Sequence, residues 1–505
     1  MFCCSEIFGQ QIFYAPNERN TTQNFSFEII GKYKQNYLIY KNTRNTHRIT
    51  VYTPEMEIKE DLDLNFLPER YIDLTCYPVS DGAIFIYQFQ KKNIIYCMGA
   101  KVDTEARLKG DPVQIDTAEV GLVNNERKIF SSLISDDKKS LMILKIQNLY
   151  QDEYHFSARL LNSSLSVIRS ANFVYSVESS KESVGDFSLD NEGNLLFTHI
   201  PKALQKEVGT YVNLCIFSTH SDSLQVNAIS LGKVYPDELR IKMDNTNRRY
   251  VLTSFYSNSR RGNIDGLIFL SFSKDSSRVL QKRLFEFTDE LKNIARGDNA
   301  QSAAFNDYYL KQFIIRKDGG MIIAAESNYT NNRGSGINRW DYPNNWGWGG
   351  MGMGMGMGFG GFGWGTPLNT WGFGMPGSWN GFGTPSVRYF SDNIVIFSFN
   401  KEAEMEWNRV LAKSQFDDNS DALLSYHSMN TGKEIVFMYN TWSKRNPMLA
   451  SQILTVDGQL NRQQLLRSQD KGYEFLIRKA KQVGVRELIV PVYYRNSTSF
   501  ARVQF

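Results

Sequence analysis

The feature that most constrains this chain is a hairpin that recurs along it. A short apolar strand, a turn of Asp, Asn or Gly, and a stronger strand follow one another in YPVSDGAIFIYQ (77–88), LISDDKKSLMILKI (133–146) and FSLDNEGNLLFTHI (187–200). The unit returns in IKMDNTNRRYVLTSFY (241–256), IIRKDGGMIIAAES (314–327) and HSMNTGKEIVFMYN (427–440). Two weaker copies flank these, EIIGKYKQNYLIYKN (28–42) and KAKQVGVRELIVPVYY (479–494). Asp, Asn and Gly accept the positive φ of a tight turn and so close hairpins. The residues after each turn alternate apolar and polar, the period of a strand with one buried face.

The turn centres fall near residues 35, 81, 137, 192, 246, 319, 432 and 484. Most gaps lie near 50 residues, the length of a four-stranded propeller blade. The two longer gaps, 246 to 319 and 319 to 432, require insertions. A second hairpin follows the first in several units, as in HRITVYTPEMEIKEDLDL (47–64), DGLIFLSFSKDSSRVLQKRL (265–284), DNIVIFSFNKEAEMEWNRVL (392–411) and MLASQILTVDGQLNRQQLL (448–466). Its last strand is polar, as suits an outer edge facing water. The expected fold is an all-β closed β-propeller of eight four-stranded blades, with seven as the alternative. The eighth unit has three strands before Phe505, and the spare N-terminal strand at 11–15 is expected to complete it and close the ring. The aromatic content of 13% suits strands.

Residues 11–505 thus read as one propeller domain. Residues 1–10, MFCCSEIFGQ, read as the remnant of a leader or as a frayed terminus. A lipid-modified Cys4 is the weaker version, since the residues before it make a poor lipobox. No apolar run outside the glycine-rich segment is long enough for a transmembrane helix. The net charge of +4 gives no electrostatic case for nucleic acid. Five cysteines without CxxC spacing point to no zinc site and no disulfide scaffold, and Cys76, Cys97 and Cys215 read as small apolar strand residues.

Residues 331–391 break the pattern. Glycine there alternates with Met, Phe and Trp, and the segment carries six of the 8 Trp of the chain. Charge is confined to Arg333, Arg339, Asp341 and Arg388. So many large apolar side chains are a liability unless something covers them. Trp favours binding hot spots and membrane interfaces, and Met adapts to varied surfaces. The segment is therefore read as a partner-binding loop through Trp340, Trp346, Trp348, Met351, Met353, Met355, Met357, Phe359, Phe362, Trp364, Trp371, Phe373 and Trp379. The plain alternative is a low-complexity loop that drifted in length. A third reading is copper(I) held by the Met351 to Met357 thioethers, although no His or Cys lies near them in sequence.

Enzyme signatures are sparse. No GxSxG, HExxH or P-loop occurs. Ser188 to Gly193 has the look of a sialidase box, but its spacing is one residue too long and other units do not repeat it, so Asp190 and Gly193 read as turn residues. The Asp81-Gly82 and Asp318-Gly319 pairs read the same way. His47, His155, His199, His220 and His427 are scattered, with His199 and His427 expected near the central channel. Glu326 stands out as an acid inside the apolar strand IIAAES. A hydrolytic, carbohydrate-active propeller needs two or three acids converging on the channel, and it is the alternative to a non-enzymatic binding protein. No cofactor is expected.

Units such as FIIRKDGGMIIAAES followed by DNIVIFSFNKEAEMEWNRVL resemble the propeller repeats of secreted and periplasmic proteins of the Bacteroidota. The resemblance covers the chain apart from the insertion and carries no catalytic residues. It implies an extracytoplasmic protein, periplasmic or associated with the outer membrane, that serves a larger envelope complex for transport or secretion.

Overall fold

The structure is a computed structural model that describes residues 11–17, 25–44, 46–120, 128–150, 152–178, 182–201, 210–218, 223–237, 239–260, 262–296, 303–331, 388–418, 420–443, 446–462, 472–495 and 497–505. Eight antiparallel sheets follow one another around a ring. Blade 1 shows the plan: Phe25–Tyr33 lies innermost, followed outward by Asn36–Thr43, Thr46–Tyr52 and Ile58–Asp63. Blades 2 to 7 occupy 73–119, 130–176, 183–232, 235–286, 308–418 and 426–462. The eighth sheet takes its inner strands from 474–494 and its third from Ser497–Gln504, and the N-terminal strand Gln11–Tyr14 forms its outer edge. Gln11 pairs with Gln504 and Tyr14 with Ala501, so the two ends of the described chain meet in one sheet. The eight-bladed β-propeller expected from the turn spacing is what the chain forms.

Among the described residues there is no single core. Eight apolar clusters sit one at each junction between neighbouring sheets. Met321, Ile323 and Ala325 of blade 6 pack toward blade 5, while Ile322 and Ala324 pack toward blade 7. Side chains that alternate along a strand therefore serve opposite neighbours. This corrects the expectation of one buried face. The second strand of blade 5, Arg249–Ser257, is buried along its whole length. Only outer strands such as Arg278–Glu286 turn most of their residues to water.

Polar side chains tie blades where strands end. The Gln88 amide accepts hydrogen bonds from the Ile129 and Phe130 N–H groups at 3.2 and 2.9 Å and donates to the Phe130 carbonyl at 2.6 Å. Asn440 donates to the Phe475 carbonyl of the next blade at 2.7 Å. The 246 to 319 gap holds a helix, Asp289–Arg296, between blades 5 and 6. Thr288 caps it by accepting the Leu291 N–H at 3.2 Å, and Leu291 and Ala295 are buried in the junction.

Candidate functional site

The strand order fixes two ring faces. Turns between first and second strands and between third and fourth strands lie on one face. Connections between second and third strands, and between blades, lie on the other. Residues 332–387 join Met321–Asn331 to Arg388–Phe399, the second and third strands of blade 6, and so leave the ring on the second face.

Glu326, the acid inside the apolar strand, is fully buried near that face, at the junction of blades 6 and 7. Its carboxylate lies 2.9 Å from the Lys413 ammonium, and neither side chain is exposed. Ser391 donates to it at 2.8 Å, Ser425 at 2.5 Å and Asn328 at 3.3 Å. Lys413 donates further to the Ser391 carbonyl at 2.8 Å and to Gln415 Oε1 at 2.9 Å. The Gln415 amide donates in turn to the Asn440 carbonyl at 2.7 Å. Burial disfavours both charges. The charges of Lys413 and Lys311, with hydrogen bonds from Lys413 and Ser425, outweigh burial at Glu326 and hold its carboxyl below the ordinary range. At Lys413 burial prevails over the attraction of Glu326, and the ammonium pKa is lowered. The pair is a satisfied structural joint, with every carboxylate contact supplied by the protein. Sequence reasoning found Glu326 but missed Lys413, Ser391, Ser425 and Gln415. Ser391 lies in the strand Arg388–Phe399 and the others in polar connections, and nothing in their own spacing points to a distant acid.

The same joint stiffens the root of the insertion. Asn331 still pairs with Arg388, Thr330 with Tyr389 and Tyr329 with Phe390. The Tyr329 and Phe390 rings stack at 4.6 Å, and the Tyr329 hydroxyl donates to Asp392 at 2.8 Å. A fifth strand, Phe416–Asp418, pairs with Arg388, Tyr389 and Phe390 on the far side. Arg388 forks onto Asp418 at 2.7 and 3.1 Å and lies over the Phe416 ring at 4.9 Å.

The contact side chains expected in the insertion, Trp340, Trp346, Trp348, Met351, Met353, Met355, Met357, Phe359, Phe362, Trp364, Trp371, Phe373 and Trp379, lie outside the described residues, as does His220. His199 does not face the channel. It is wedged between blades 3 and 4, 2.7 Å from the Tyr175 hydroxyl and 2.9 Å from Glu182. Burial lowers its pKa against the pull of Glu182. His427 is on the inner strand of blade 7, and burial pushes it down to about 4. Cys76, Cys97 and Cys215 are buried free thiols, and burial raises each thiol pKa. Asp190 does cap a turn, accepting the Glu192 and Asn194 N–H groups at 2.9 and 2.8 Å. It also binds Lys274 at 2.7 Å and the Tyr250 hydroxyl at 2.9 Å, which ties blade 4 to blade 5. Among the described residues no group of three or more His, Cys, Asp or Glu is placed to hold a metal ion.

The channel mouth on the opposite face contains two acids, Asp136 and Asp244. Asp244 is buried and bonded to Arg249 at 2.9 Å, and Asp136 accepts from Asn245 at 3.0 Å.

No protein-family model matches the chain, and no curated protein is significantly similar to it. Solved structures of similar shape include the Nup133 β-propeller domain of Vanderwaltozyma polyspora, 9% identical over 95% of this chain and 99% of that one, with a TM-score of 0.41. The WD40 domain of SCAP from fission yeast is 8% identical over 98% of both chains, with a TM-score of 0.39. An ulvan lyase, a polysaccharide lyase, is 9% identical over 82% of this chain and 90% of that one, at 0.35. Likenesses this distant transfer no residue role and no activity.

Proposed function

We propose that this propeller is a non-enzymatic binding platform of the bacterial cell envelope. The Gly/Met/Trp-rich insertion is its contact element for an outer-membrane or periplasmic protein complex. The observation that carries this reading is the root of the insertion. A five-stranded blade, a stacked Tyr329–Phe390 pair, the Arg388–Asp418 fork and the buried Glu326–Lys413 joint brace the point where a nearly uncharged, aromatic segment leaves the ring. A loop free to drift in length needs no such bracing, whereas a contact element on a rigid base loses less conformational freedom on binding. The envelope location rests on the resemblance of the repeat units.

The test is affinity purification from the native envelope with the full chain and with a chain lacking 334–386. Membrane or periplasmic partners that are lost on deletion, from a ring with unchanged circular dichroism, support the proposal. Partners retained without the insertion refute it.

A further inference from the structure

Each blade ends on an outer strand whose far edge is unpaired among the described residues, and such an edge invites pairing with another chain unless it is guarded. In blades 7 and 8 the described outer strands, Leu460–Arg462 and Gln11–Tyr14, are only three and four residues long. In blades 1, 2, 3, 5 and 6 the outer strand carries charge. A β-bulge also kinks each of these near its start, with Lys59, Ile115, Ile168, Leu280 and Glu406 as the extra residues. Blade 4 has none of these guards. Its outer strand, Ser223–Gly232, reads SLQVNAISLG, without charge or proline. Ser223 to Ser230 pair in unbroken register with Ser218 to Tyr211, and the one irregularity falls at the far end. Gln225, Val226, Ala228 and Ser230 are exposed along it, Val226 by 48%.

The two sides of this edge differ. Residues opposite one another on paired strands share a face. Val226 and Ala228, opposite Cys215 and Asn213, face blade 3, and the exposed Tyr211 lies opposite Ser230 on the same side. Gln225 and Asn227, opposite Ile216 and Leu214, face blade 5. There Lys282 of blade 5 reaches across to donate to the Ser230 carbonyl at 2.6 Å. The outer strands of blades 3 to 5 carry Arg169, Arg278, Lys282 and Arg283 against a single acid, Glu286. Those of blades 1 and 2 carry Glu60, Asp61, Asp63, Asp116 and Glu119 against Lys59. The unguarded edge therefore lies in a cationic stretch of the rim.

We propose that the outer edge of blade 4 binds an extended segment of a partner protein, of alternating apolar and acidic residues, as a fifth strand. Main-chain hydrogen bonds along Ser223 to Ser230 supply the affinity, and the alternation supplies the choice. The apolar side chains of the segment lie beside Val226 and Tyr211, and its carboxylates lie beside Gln225, Asn227 and Lys282. Charge decides against a second copy of this chain. Two copies paired antiparallel at this edge meet about a two-fold axis normal to the sheet, which sets blade 5 of one ring beside blade 5 of the other. Arg278, Lys282 and Arg283 would then face their own kind across the contact. The edge lies on the rim of the ring and is separate from the insertion of blade 6.

The experiment is fluorescence anisotropy of the full chain with a capped, fluorescein-labelled decapeptide of alternating valine and glutamate. One control peptide has lysine in place of glutamate, and the other has two adjacent prolines at its centre, which remove a donor from each edge of the peptide. The expected result is saturable binding of the valine–glutamate probe, at least about tenfold tighter than either control and weakened by salt. Lys282→Glu changes an exposed side chain and should weaken that binding about threefold or more at an unchanged unfolding midpoint. A photoreactive residue placed at Val226 should crosslink to the probe, and one placed at Ile58, 43% exposed on the outer strand of blade 1, should not. No saturable binding of the valine–glutamate probe overturns the proposal. Equal binding of either control, binding that Lys282→Glu leaves unchanged, or equal adducts from position 58 overturn it as well. Adducts that join two copies of the chain through position 226, with none to the probe, overturn it in favour of self-pairing.

Discussion

Separating Glu326 from Lys413 is the sharpest perturbation the structure offers. The pair is 2.9 Å apart with neither side chain exposed, so water cannot replace a lost partner. Glu326→Met strips Lys413 of its counter-charge and leaves the Ser391 and Ser425 hydroxyls without their acceptor, while the Asn328 amide keeps the residue-326 carbonyl. Lys413→Met leaves a carboxylate with three weaker donors. Breaking a buried pair from one side costs about 3–5 kcal/mol, because the survivor is a buried, uncompensated charge. The double variant removes both charges and keeps the volume. It should therefore lie within about 1–2 kcal/mol of either single variant rather than at their sum, the remainder being the orphaned hydroxyls. The assay is urea unfolding followed by far-ultraviolet circular dichroism, which reports strands and is insensitive to the insertion's tryptophans. The midpoint should fall at constant slope. Single variants costing under about 1 kcal/mol would refute the reasoning, and so would additive effects within about 0.5 kcal/mol.

Three further outcomes follow from the ring. Removing residues 1–15 takes away the strand paired with Ser497–Gln504 and uncovers an edge, so the protein should self-associate in size-exclusion chromatography with light scattering; an unchanged monomer of wild-type midpoint would contradict closure by that strand. Gly82 has φ +138°, and an added Cβ would meet the Val102 carbonyl oxygen at 1.9 Å, so Gly82→Ala should cost at least about 2 kcal/mol in denaturant unfolding; a loss below about 0.5 kcal/mol would contradict it. His427 takes a proton near 6.5 when unfolded but only near 4 when folded. The unfolded state binds more protons between those values, so stability present above pH 6.5 is lost as pH falls through that window, by at most about 3 kcal/mol from this residue. The stability gap between wild type and His427→Gln should narrow from pH 6.5 to 4, and a constant gap would count against the assignment.

The architecture was legible because each blade repeats the same local chemistry. Turns such as Ser80-Asp81-Gly82 and Lys317-Asp318-Gly319 recur at a spacing that only a four-stranded unit fills. The helix Asp289–Arg296 was missed although Thr288-Asp289-Glu290 carries a capping signal, since its buried stripe is only Leu291 and Ala295. Burial of strands on both faces was also not legible. In a propeller the polar residues within inner strands, such as Thr253 and Ser254, are buried as fully as the apolar ones, so alternation in the sequence does not report exposure. Glu326 was visible as an acid out of place. Its partners were not, because Lys413 reaches it from the far end of the same blade and Ser425 meets it only when blades 6 and 7 are side by side.

Whether the insertion is the contact element is decided by site-specific photo-crosslinking in the native envelope. A photoreactive residue is placed at Trp364 in the insertion and, in a second protein, at Val456, which is 69% exposed in a turn of blade 7 on the opposite face. A discrete adduct with an outer-membrane or periplasmic protein is expected from position 364 and none from position 456. Adducts from 456 with none from 364 would contradict it.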